Sequence, residues 1–150
     1  MQRTLILLKP DCVQRRLVGT IVQRFEQKGL RLVALKLVQA GRELAEKHYA
    51  VHKGKPFYES LLTFLTSGPT VALVWEGREA VAVARTLMGA TDGTKAAPAT
   101  IRGDFALSVQ NNLVHGSDSP ENAALEVALW LRPDELVSYQ PADAAWIVGN

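Results

Sequence analysis

Short apolar runs typical of strands alternate with amphipathic helical stretches along the whole chain, and this alternation constrains the fold more than any other feature. Such an order favours a mixed α/β layer structure over a bundle or a sandwich. Within the second run, alternation predicts Leu32, Ala34 and Lys36 on one side of a strand. The four predicted strands are Thr4 to Leu8, Arg31 to Val38, Thr70 to Trp75 and Asn112 to His115.

Helical stretches fill the space between these strands. Asp11 is expected to cap the first helix, which ends where Lys28 precedes Gly29. Ser119 as N-cap and Pro120 at the first helical position predict the start of the last helix, which runs to about Leu131. The other predicted helices are Glu43 to Val51, Phe57 to Thr66 and Glu79 to Met88.

The order of elements fits a ferredoxin-like βαββαβ fold, an α/β (α+β) arrangement with helices packed on a four-stranded antiparallel sheet and further helices added. Residues 89–110 show little periodicity. A stretch of that length without clear elements is more often functional than decorative. We expect one domain over residues 1–150, long enough to bury a core.

Composition excludes several classes of protein. Hydrophobic residues at 47% and charged residues at 21% exclude intrinsic disorder. One cysteine, Cys12, cannot form an internal disulfide, no apolar run reaches the ~18 residues of a membrane span, and Leu5 to Leu8 is too short for a signal peptide. We therefore expect a cytoplasmic protein. The net charge of +2, with both signs interspersed, gives no basic stripe and makes nucleic acid unexpected as the main partner.

Two of the three histidines have helical i, i+4 spacing. His48 and His52 match the spacing of zinc-binding H-E-x-x-H helices, but Tyr49 stands where that motif needs its glutamate. A partly exposed helix face is the preferred interpretation of His48, and no metal-ligating residue is predicted.

His115 is the strongest single candidate for chemistry. It lies at the end of a predicted strand, beside Gly116, which would let a ligand approach closely, and just before a helix. Glu126 in that helix can face back to the imidazole, fixing one ring nitrogen and leaving the other as a nucleophile. From spacing alone, a catalytic role and a capping or loop role both remain open.

Phosphate-binding signals are present without a P-loop or a G-x-G-x-x-G motif. Arginine presents a bidentate fork that suits phosphate oxygens. Surface pairing of Arg85 and Arg102 with Asp92 and Asp104 is the alternative, and the arginines alone decide neither. The cationic and hydroxyl residues of this region are Arg85, Thr91, Lys95, Thr100 and Arg102.

Several motifs together resemble the nucleoside diphosphate kinase family over essentially the whole chain. The most specific is the run from Asn112 to Ser119, which contains His115. The others are Lys9-Pro10-Asp11, His52-Lys53-Gly54-Lys55-Pro56-Phe57, Ser67-Gly68-Pro69, Val74-Trp75-Glu76-Gly77 and Thr100-Ile101-Arg102-Gly103-Asp104-Phe105.

The resemblance implies an enzyme that moves the γ-phosphate of a nucleoside triphosphate to a nucleoside diphosphate through a phosphohistidine, in a ping-pong scheme with broad base specificity. It implies His115 Nδ1 as the nucleophile, Glu126 on the other ring nitrogen, Ser117 supporting that glutamate and Tyr49 near the transferred phosphate. The implied nucleotide contacts are Phe57 and Val109 for the base, Lys9 and Asn112 for the ribose, and His52, Arg85, Thr91 and Arg102 for the phosphates. The implied cofactor is Mg²⁺, held mainly by phosphate oxygens and water.

The resemblance also implies a homo-oligomer, because longer members use a tail like that after Pro133 to tie subunits together. A hexamer is favoured over a tetramer. The chain departs from the family at Cys12 and Ala99, which replace glycines, and at Asp92-Gly93 and Gln110-Asn111. If position 99 needs a positive φ, alanine costs on the order of 1 kcal/mol there.

Two rival functions remain beside the enzyme. A catalytically silent nucleotide-binding or regulatory module of the same fold should have lost His115, Glu126 or a clamping arginine, and the sequence retains all of them. A nucleic-acid-binding protein should show concentrated basic charge, which 17 basic and 15 acidic interspersed residues do not provide. The enzyme is therefore the preferred hypothesis.

Overall fold

The computed structural model describes residues 1–149 and contains one four-stranded sheet in which every neighbouring pair of strands is antiparallel. The strands are β1 (Gln2–Leu8), β2 (Arg31–Val38), β3 (Thr70–Gly77) and β4 (Val114–Gly116). Their order across the sheet is β2-β3-β1-β4, which confirms the predicted ferredoxin-like arrangement. Asn150, the last residue of the predicted domain, lies outside the described residues.

Helices connect the strands and cover both faces of the sheet. Short 3₁₀ turns lie at Ala50–His52 and Pro133–Glu135. Within residues 1–149, no helix combines the length and apolar character needed to cross a bilayer. The helices are α1 (Pro10–Gln14), α2 (Val18–Lys28), α3 (Arg42–His48), α4 (Tyr58–Leu65), α5 (Ala80–Met88), α6 (Ile101–Phe105), α7 (Pro120–Trp130) and α8 (Ala144–Val148).

The central strands are apolar throughout because each face packs against its own layer of helices. Ile6 and Leu8 of β1 join one core with residues of α2 and α5. Leu5 and Leu7 join the opposite core with residues of α3, α4 and α7. Strand β3 is buried along its whole length for the same reason.

The first predicted helix is divided in two, and Asp11 does not cap it. Arg16 takes a left-handed conformation with φ of 59°, which ends α1 before α2 begins. The Asp11 carboxylate instead accepts the backbone N–H of Leu113 at 3.0 Å. The predicted end at Gly29 is confirmed, because this residue has φ of 101° after the last helical residue.

A bulge changes the faces of β2. The register shifts between Leu32 and Ala34, so that Val33 is the extra residue of the strand. Leu32 packs against the α2–α5 core, whereas Val33 and Ala34 belong to the opposite core. The prediction that Leu32 and Ala34 share one side was therefore wrong, because alternation assumes an unbroken ladder.

The segment around β4 agrees with its prediction. Strand β4 is a short edge strand paired with β1. The hydroxyl of Ser119 accepts the backbone N–H of Asn122 at 3.1 Å, and Pro120 occupies the first turn of α7. The strand end and the helix start therefore lie within a few residues of each other, on either side of the candidate site.

Candidate active site

A cavity of about 850 Å³ opens beside β4, α3, α7 and the irregular segment. Eleven of the twelve predicted site residues line it. Ser117 does not, because it is fully buried and its hydroxyl accepts the backbone N–H of Leu5 at 3.3 Å. The lining predicted residues are Lys9, Tyr49, His52, Phe57, Arg85, Thr91, Arg102, Val109, Asn112, His115 and Glu126.

The backbone of β4 holds His115 at the wall of the cavity, where it pairs with Leu7 of β1. Gly116 lines the cavity as well, as its place beside His115 predicts. The core also requires glycine here, because a Cβ would come within 2.6 Å of the Met88 sulfur. His115 is partly exposed, and its side chain retains 27% of its accessible surface.

One carboxylate orients the His115 ring. Nε2 of His115 donates to Oε2 of Glu126 at 2.7 Å, and within residues 1–149 no hydrogen bond engages Nδ1. Burial alone would raise the pKa of Glu126, but the hydrogen bond and charge of His115 lower it on balance. Glu126 is therefore an anion at neutral pH, and the tautomer that it holds leaves a lone pair on Nδ1.

His48 lies against this pair, and the prediction of a partly exposed position was wrong. Its side chain is 1% exposed, and its ring stands edge-on to the His115 ring at a centroid distance of 4.5 Å. Trp130 Nε1 donates to His48 Nδ1 at 3.1 Å. Burial lowers the pKa of His48 to about 3, so the ring is neutral.

A sequence signal for this contact existed on α7. Glu126 and Trp130 are four residues apart and therefore lie on the same face of that helix. A buried indole N–H needs an acceptor, which is a reason to look for a polar partner near Glu126. No local pattern identifies that partner as His48, because α3 meets α7 only in the tertiary structure.

His52 does not join His48 in a metal site. Its ring lies 5.3 Å from the Phe57 ring, and its Nδ1 is 3.2 Å from Lys55 Nζ. Burial, with a smaller effect of Lys55, lowers the pKa of His52. The side chain therefore lies on the side of the cavity where Phe57 is half exposed.

Arg102 is buried and spans the irregular segment. It donates to three backbone carbonyls, those of Gly89, Asn112 and Val114, at 3.0, 3.2 and 2.6 Å. Guanidinium carries five N–H groups, so two remain for a ligand. Burial and the charge of Arg85 lower the pKa of Arg102 to about 10, which leaves it charged at neutral pH.

The alternative that Arg85 and Arg102 pair with acidic side chains at the surface is wrong. Asp104 binds Arg24 at 2.5 Å, and Asp92 binds the hydroxyl of Thr94 at 2.7 Å. Arg85 donates to the carbonyl of Gly116 at 3.2 Å. Both predicted phosphate ligands therefore line the cavity without a carboxylate partner in residues 1–149.

Lys9 and Asn112 form a buried pair at the base of the cavity. Lys9 Nζ donates to Asn112 Oδ1, and to the Gln110 carbonyl at 3.2 Å. Asn112 Nδ2 donates to the carbonyl of Thr91 at 2.9 Å. Burial lowers the pKa of Lys9 to about 8, although Asp11 opposes this effect.

The mouth of the cavity is apolar. Phe57 and Val109 are 47% and 59% exposed, so they offer flat and branched apolar surface to a ligand. Tyr49 is deeper, beside the His48 ring at 4.7 Å, and burial raises its pKa to about 12. An apolar mouth above cationic walls and an oriented imidazole is suited to a molecule with a flat ring at one end and phosphates at the other.

Comparison with known proteins gives a consistent result. The family model described as nucleoside diphosphate kinase matches residues 2–136. The chain is 58% identical over 147 residues to the nucleoside diphosphate kinase of Carboxydothermus hydrogenoformans, covering 98% of this chain and 99% of that one. It is likewise 58% identical to the enzyme of Thermosynechococcus vestitus, covering 98% of each.

Solved structures agree with the sequence relatives. A halophilic nucleoside diphosphate kinase from Halobacterium salinarum, determined in complex with CDP, superposes with a TM-score of 0.95 at 48% identity and with 97% of each chain covered. The similarity therefore extends over the whole fold, including the segments that surround the cavity.

Proposed function

The chain belongs to the nucleoside diphosphate kinase family, and from this membership we propose a role for each residue of its site. The enzyme transfers the γ-phosphate of a nucleoside triphosphate to a nucleoside diphosphate in a ping-pong reaction with a phosphohistidine intermediate. In the first half-reaction a nitrogen–phosphorus bond forms as the bond to the β-phosphate oxygen breaks. In the second, the incoming diphosphate takes the phosphoryl group.

His115 is the nucleophile, through Nδ1. The observation that carries this assignment is the 2.7 Å hydrogen bond from His115 Nε2 to Glu126, because it leaves the other nitrogen with a lone pair beside the cavity. Glu126 also stabilises the positive charge that develops on the ring as phosphorus is attacked. Ser117 supports Glu126, and Tyr49 lies near the transferred phosphate.

Cationic and hydroxyl groups hold the nucleotide around that nitrogen. Charge spreads over the oxygens of a phosphoryl group in flight, so positioned cations provide most of the stabilisation. Phe57 and Val109 enclose the base, and Lys9 and Asn112 bind the ribose hydroxyls. The phosphate ligands are His52, Arg85, Thr91 and Arg102.

The base specificity of the reaction is broad, and Phe57 explains why. Its exposed face can stack on any base, since every base has a π-face. ATP, GTP, CTP and UTP should therefore all phosphorylate the enzyme. A preference above ~10³-fold would show that a hydrogen-bonded base pocket discriminates among them.

The family uses a divalent metal with the nucleotide, and we assign Mg²⁺ to that role. Among residues 1–149, two carboxylates line the cavity, Asp118 and Glu126, and Glu126 is bound to His115. Mg²⁺ prefers six oxygen ligands. These residues fit an ion held mainly by phosphate oxygens and water, with Asp118 as the available protein carboxylate.

One experiment tests the assignment of His115. The enzyme is incubated with ATP labelled in the γ-phosphate, and the labelled protein is exposed to acid and to base. We expect an acid-labile, base-stable phosphoenzyme that transfers its label to GDP and is absent from His115→Ala. Base-labile label, or label retained by the variant, would place the intermediate on another residue.

We further propose a homo-hexamer. Trp146 is 89% exposed in the tail, and Leu35 and Leu37 are 54% and 66% exposed on the edge strand β2. Exposed apolar surface on an edge strand favours association. Light scattering should give about 98 kDa, six copies of the 16.4 kDa chain.

A tetramer is the alternative assembly, and a monomer at micromolar concentration would exclude both. Deletion of residues 143–150 should reduce the mass, and an unchanged mass would exclude a role of the tail. We also propose that residues 1–150 form one domain and that the enzyme is cytoplasmic, since its cysteine is free and buried. Cell fractionation tests the location.

A further inference from the structure

Three potential metal ligands, one of which is the proposed nucleophile, lie together at the wall of the cavity. His48, His115 and Glu126 each offer a ligand atom, and these atoms all lie within 4.8 Å of one another. His115 Nε2 and His48 Nδ1 are 2.7 and 3.8 Å from the same carboxylate oxygen of Glu126. Two further atoms of the cluster, His48 Nε2 and Glu126 Oε1, are buried without a hydrogen-bond partner in residues 1–149. Within that part of the chain, the cluster therefore offers an unpaired carboxylate oxygen of Glu126 and a His48 lone pair that a metal ion must take from Trp130 Nε1.

The donor set selects the class of ion. Two imidazole nitrogens and one carboxylate oxygen are a common ligand set for Zn²⁺ with an open fourth position. Mg²⁺ prefers octahedral oxygen ligands, so the ion that accompanies the nucleotide does not compete well here. His115 is 27% exposed at the cavity wall, which gives an ion a route to the cluster.

We propose that His48, His115 and Glu126 bind a divalent transition-metal ion of the zinc class, and that this ion inhibits the enzyme by changing the tautomer of His115. The inhibition rests on the proposed role of His115 as phosphate acceptor. The ion takes a lone pair on Nε2, which carries the ring proton in the apo enzyme. That proton passes through water to Nδ1, the ring stays neutral, and Nδ1 has no lone pair left to attack phosphorus.

Trp130 provides an internal check on the site. A neutral imidazole has one nitrogen lone pair, and in His48 the indole N–H of Trp130 already occupies it at 3.1 Å. An ion bound to either nitrogen of His48 must therefore displace this hydrogen bond. Trp130→Phe removes the competing donor, and we expect it to tighten metal binding about fivefold.

Binding is measured on nucleotide-free enzyme with ZnCl₂ in competition with a chromophoric chelator, and with Co²⁺ by its visible absorption. Wild type should bind one ion per chain. His48→Gln keeps an acceptor for Trp130 but is a poor ligand, and it should weaken binding by at least ~100-fold. His52→Gln, the same substitution at the histidine outside the cluster, should bind as wild type does.

Three results of this measurement would overturn the site: no stoichiometric ion in wild type, equal affinity of wild type and His48→Gln, or loss of binding in His52→Gln. Circular dichroism verifies that each variant is folded. If His48→Gln does not fold, Glu126→Gln, nearly isosteric with the native residue, replaces it with the same expected loss.

A second measurement tests the inhibition. The rate of phosphoenzyme formation from Mg²⁺–ATP is followed with and without preloaded Zn²⁺. Wild type should slow at least tenfold in proportion to the bound zinc and recover when a zinc-selective chelator is added. His48→Gln should retain its own zinc-free rate. Zinc that binds without slowing wild type would overturn the tautomer argument, whereas no phosphoenzyme in the absence of zinc would refute the role of His115 and leave the binding result standing.

Discussion

The proposed nucleophile and two of its proposed phosphate ligands, Thr91 and Arg102, lie on two regions of the molecule that are held in place by different means. The strand region, β4 with α7, positions His115 by ladder hydrogen bonds to β1 and by Ser119 at the start of the helix. The loop region, residues 89–113, has little regular structure apart from α6. Its backbone carbonyls are held by side chains instead, among them Arg102, Asn112 and Arg24.

We therefore expect substitutions at the proposed catalytic residue to affect activity without stability in the strand region, and substitutions at a proposed ligand to affect both in the loop region. In the strand region we expect the proposed nucleophile, His115, to contribute little to the fold, because the backbone pairing with β1 holds the strand without its side chain. In the loop region a residue proposed to bind phosphate also holds the backbone. The predictions below test this contrast in order of decreasing effect.

The largest effect is expected for His115→Ala. The variant should lose more than 99% of turnover, because no neighbour can replace a covalent nucleophile. Its melting temperature should stay close to that of wild type, since β4 keeps its pairing with β1. Steady-state transfer from ATP to GDP and thermal unfolding measure the two halves of this prediction.

Glu126→Gln is the companion variant. It keeps the shape of the side chain but removes the charge that supports the His115 ring, so transfer should fall less than in His115→Ala. Residual turnover above about 1% in His115→Ala would remove that residue from the nucleophile role. A large fall in the melting temperature of His115→Ala would show that the strand region depends on the His115 side chain for its stability.

The second effect is expected for Arg102→Met, which should lower the free energy of unfolding by about 3 kcal/mol. The carbonyls of Gly89 and Val114 lose a donor at a buried guanidinium, the Asn112 carbonyl keeps only the backbone N–H of Val114 at 2.8 Å, and the apolar stem is kept. Urea denaturation at one protein concentration measures the change. Phosphoenzyme formation should fall as well, so the variant joins a loss of stability to a loss of chemistry.

Arg15→Met is the matched control for this substitution. Arg15 also donates to a loop carbonyl, that of Phe105 at 2.7 Å, but at an exposed position. The cost there should stay below about 1 kcal/mol. Equal destabilisation by the two variants would show that burial does not set the contribution of these bonds.

The same contrast explains how far the sequence could predict the molecule. Strand-like runs and the Ser119 cap are local patterns, so the four strands and the start of α7 could be predicted. The bulge at Val33 could not, because it depends on how β2 packs across β3. Alternation carries no information about such a shift.

For the site, spacing indicated His115 and Glu126, since one strand end and the next helix place them together. The loop residues were expected in the site through the family resemblance, because no period marks a segment held by side chains. The i, i+4 spacing of Glu126 and Trp130 indicated a buried polar contact on α7, but no local pattern identified His48 as the partner. Contacts between α3 and α7 arise only when both helices pack on the sheet.

The third effect is the pH dependence of stability that arises from His48, the buried histidine packed against His115 and Trp130. Folded His48 has a pKa of about 3, below its unfolded value of about 6.5, so the unfolded chain binds the proton first. Stability should therefore fall as pH drops below 6.5, by up to about 1.4 kcal/mol per pH unit from this group. The contribution of this group to the pH dependence should vanish from about pH 7.5 upward, where the unfolded histidine is also neutral.

Urea denaturation of wild type and His48→Gln between pH 7 and pH 5 isolates this contribution. The variant should lose less stability on acidification, because glutamine does not titrate. His52→Gln, at a more exposed histidine, should follow wild type more closely. Parallel curves for wild type and His48→Gln would show that the unfolding transition does not expose His48 to protonation.

The smallest effect is a gain of stability in the loop region. Ala99 has φ of 74°, a left-handed conformation that costs a residue with a Cβ about 1 kcal/mol and costs glycine little. Its backbone is held there, because its carbonyl accepts from Arg24 at 2.9 Å and its N–H donates to Asp104 at 3.0 Å. Ala99→Gly should therefore raise the melting temperature by about 3 °C, less the entropy that glycine adds to the unfolded chain.

Ala97→Gly provides the opposite sign in the same loop. Ala97 is also exposed but has no positive φ, so glycine there only adds freedom to the unfolded chain and should destabilise by about 0.5 kcal/mol. Scanning calorimetry at equal protein concentration compares the two variants. Because neither side chain lines the cavity, transfer should stay within about twofold of wild type in both. If both glycines destabilise to the same extent, the left-handed conformation of Ala99 stores no backbone strain. The hydrogen bond from Arg24 would then hold residue 99 in a conformation that alanine adopts at no cost.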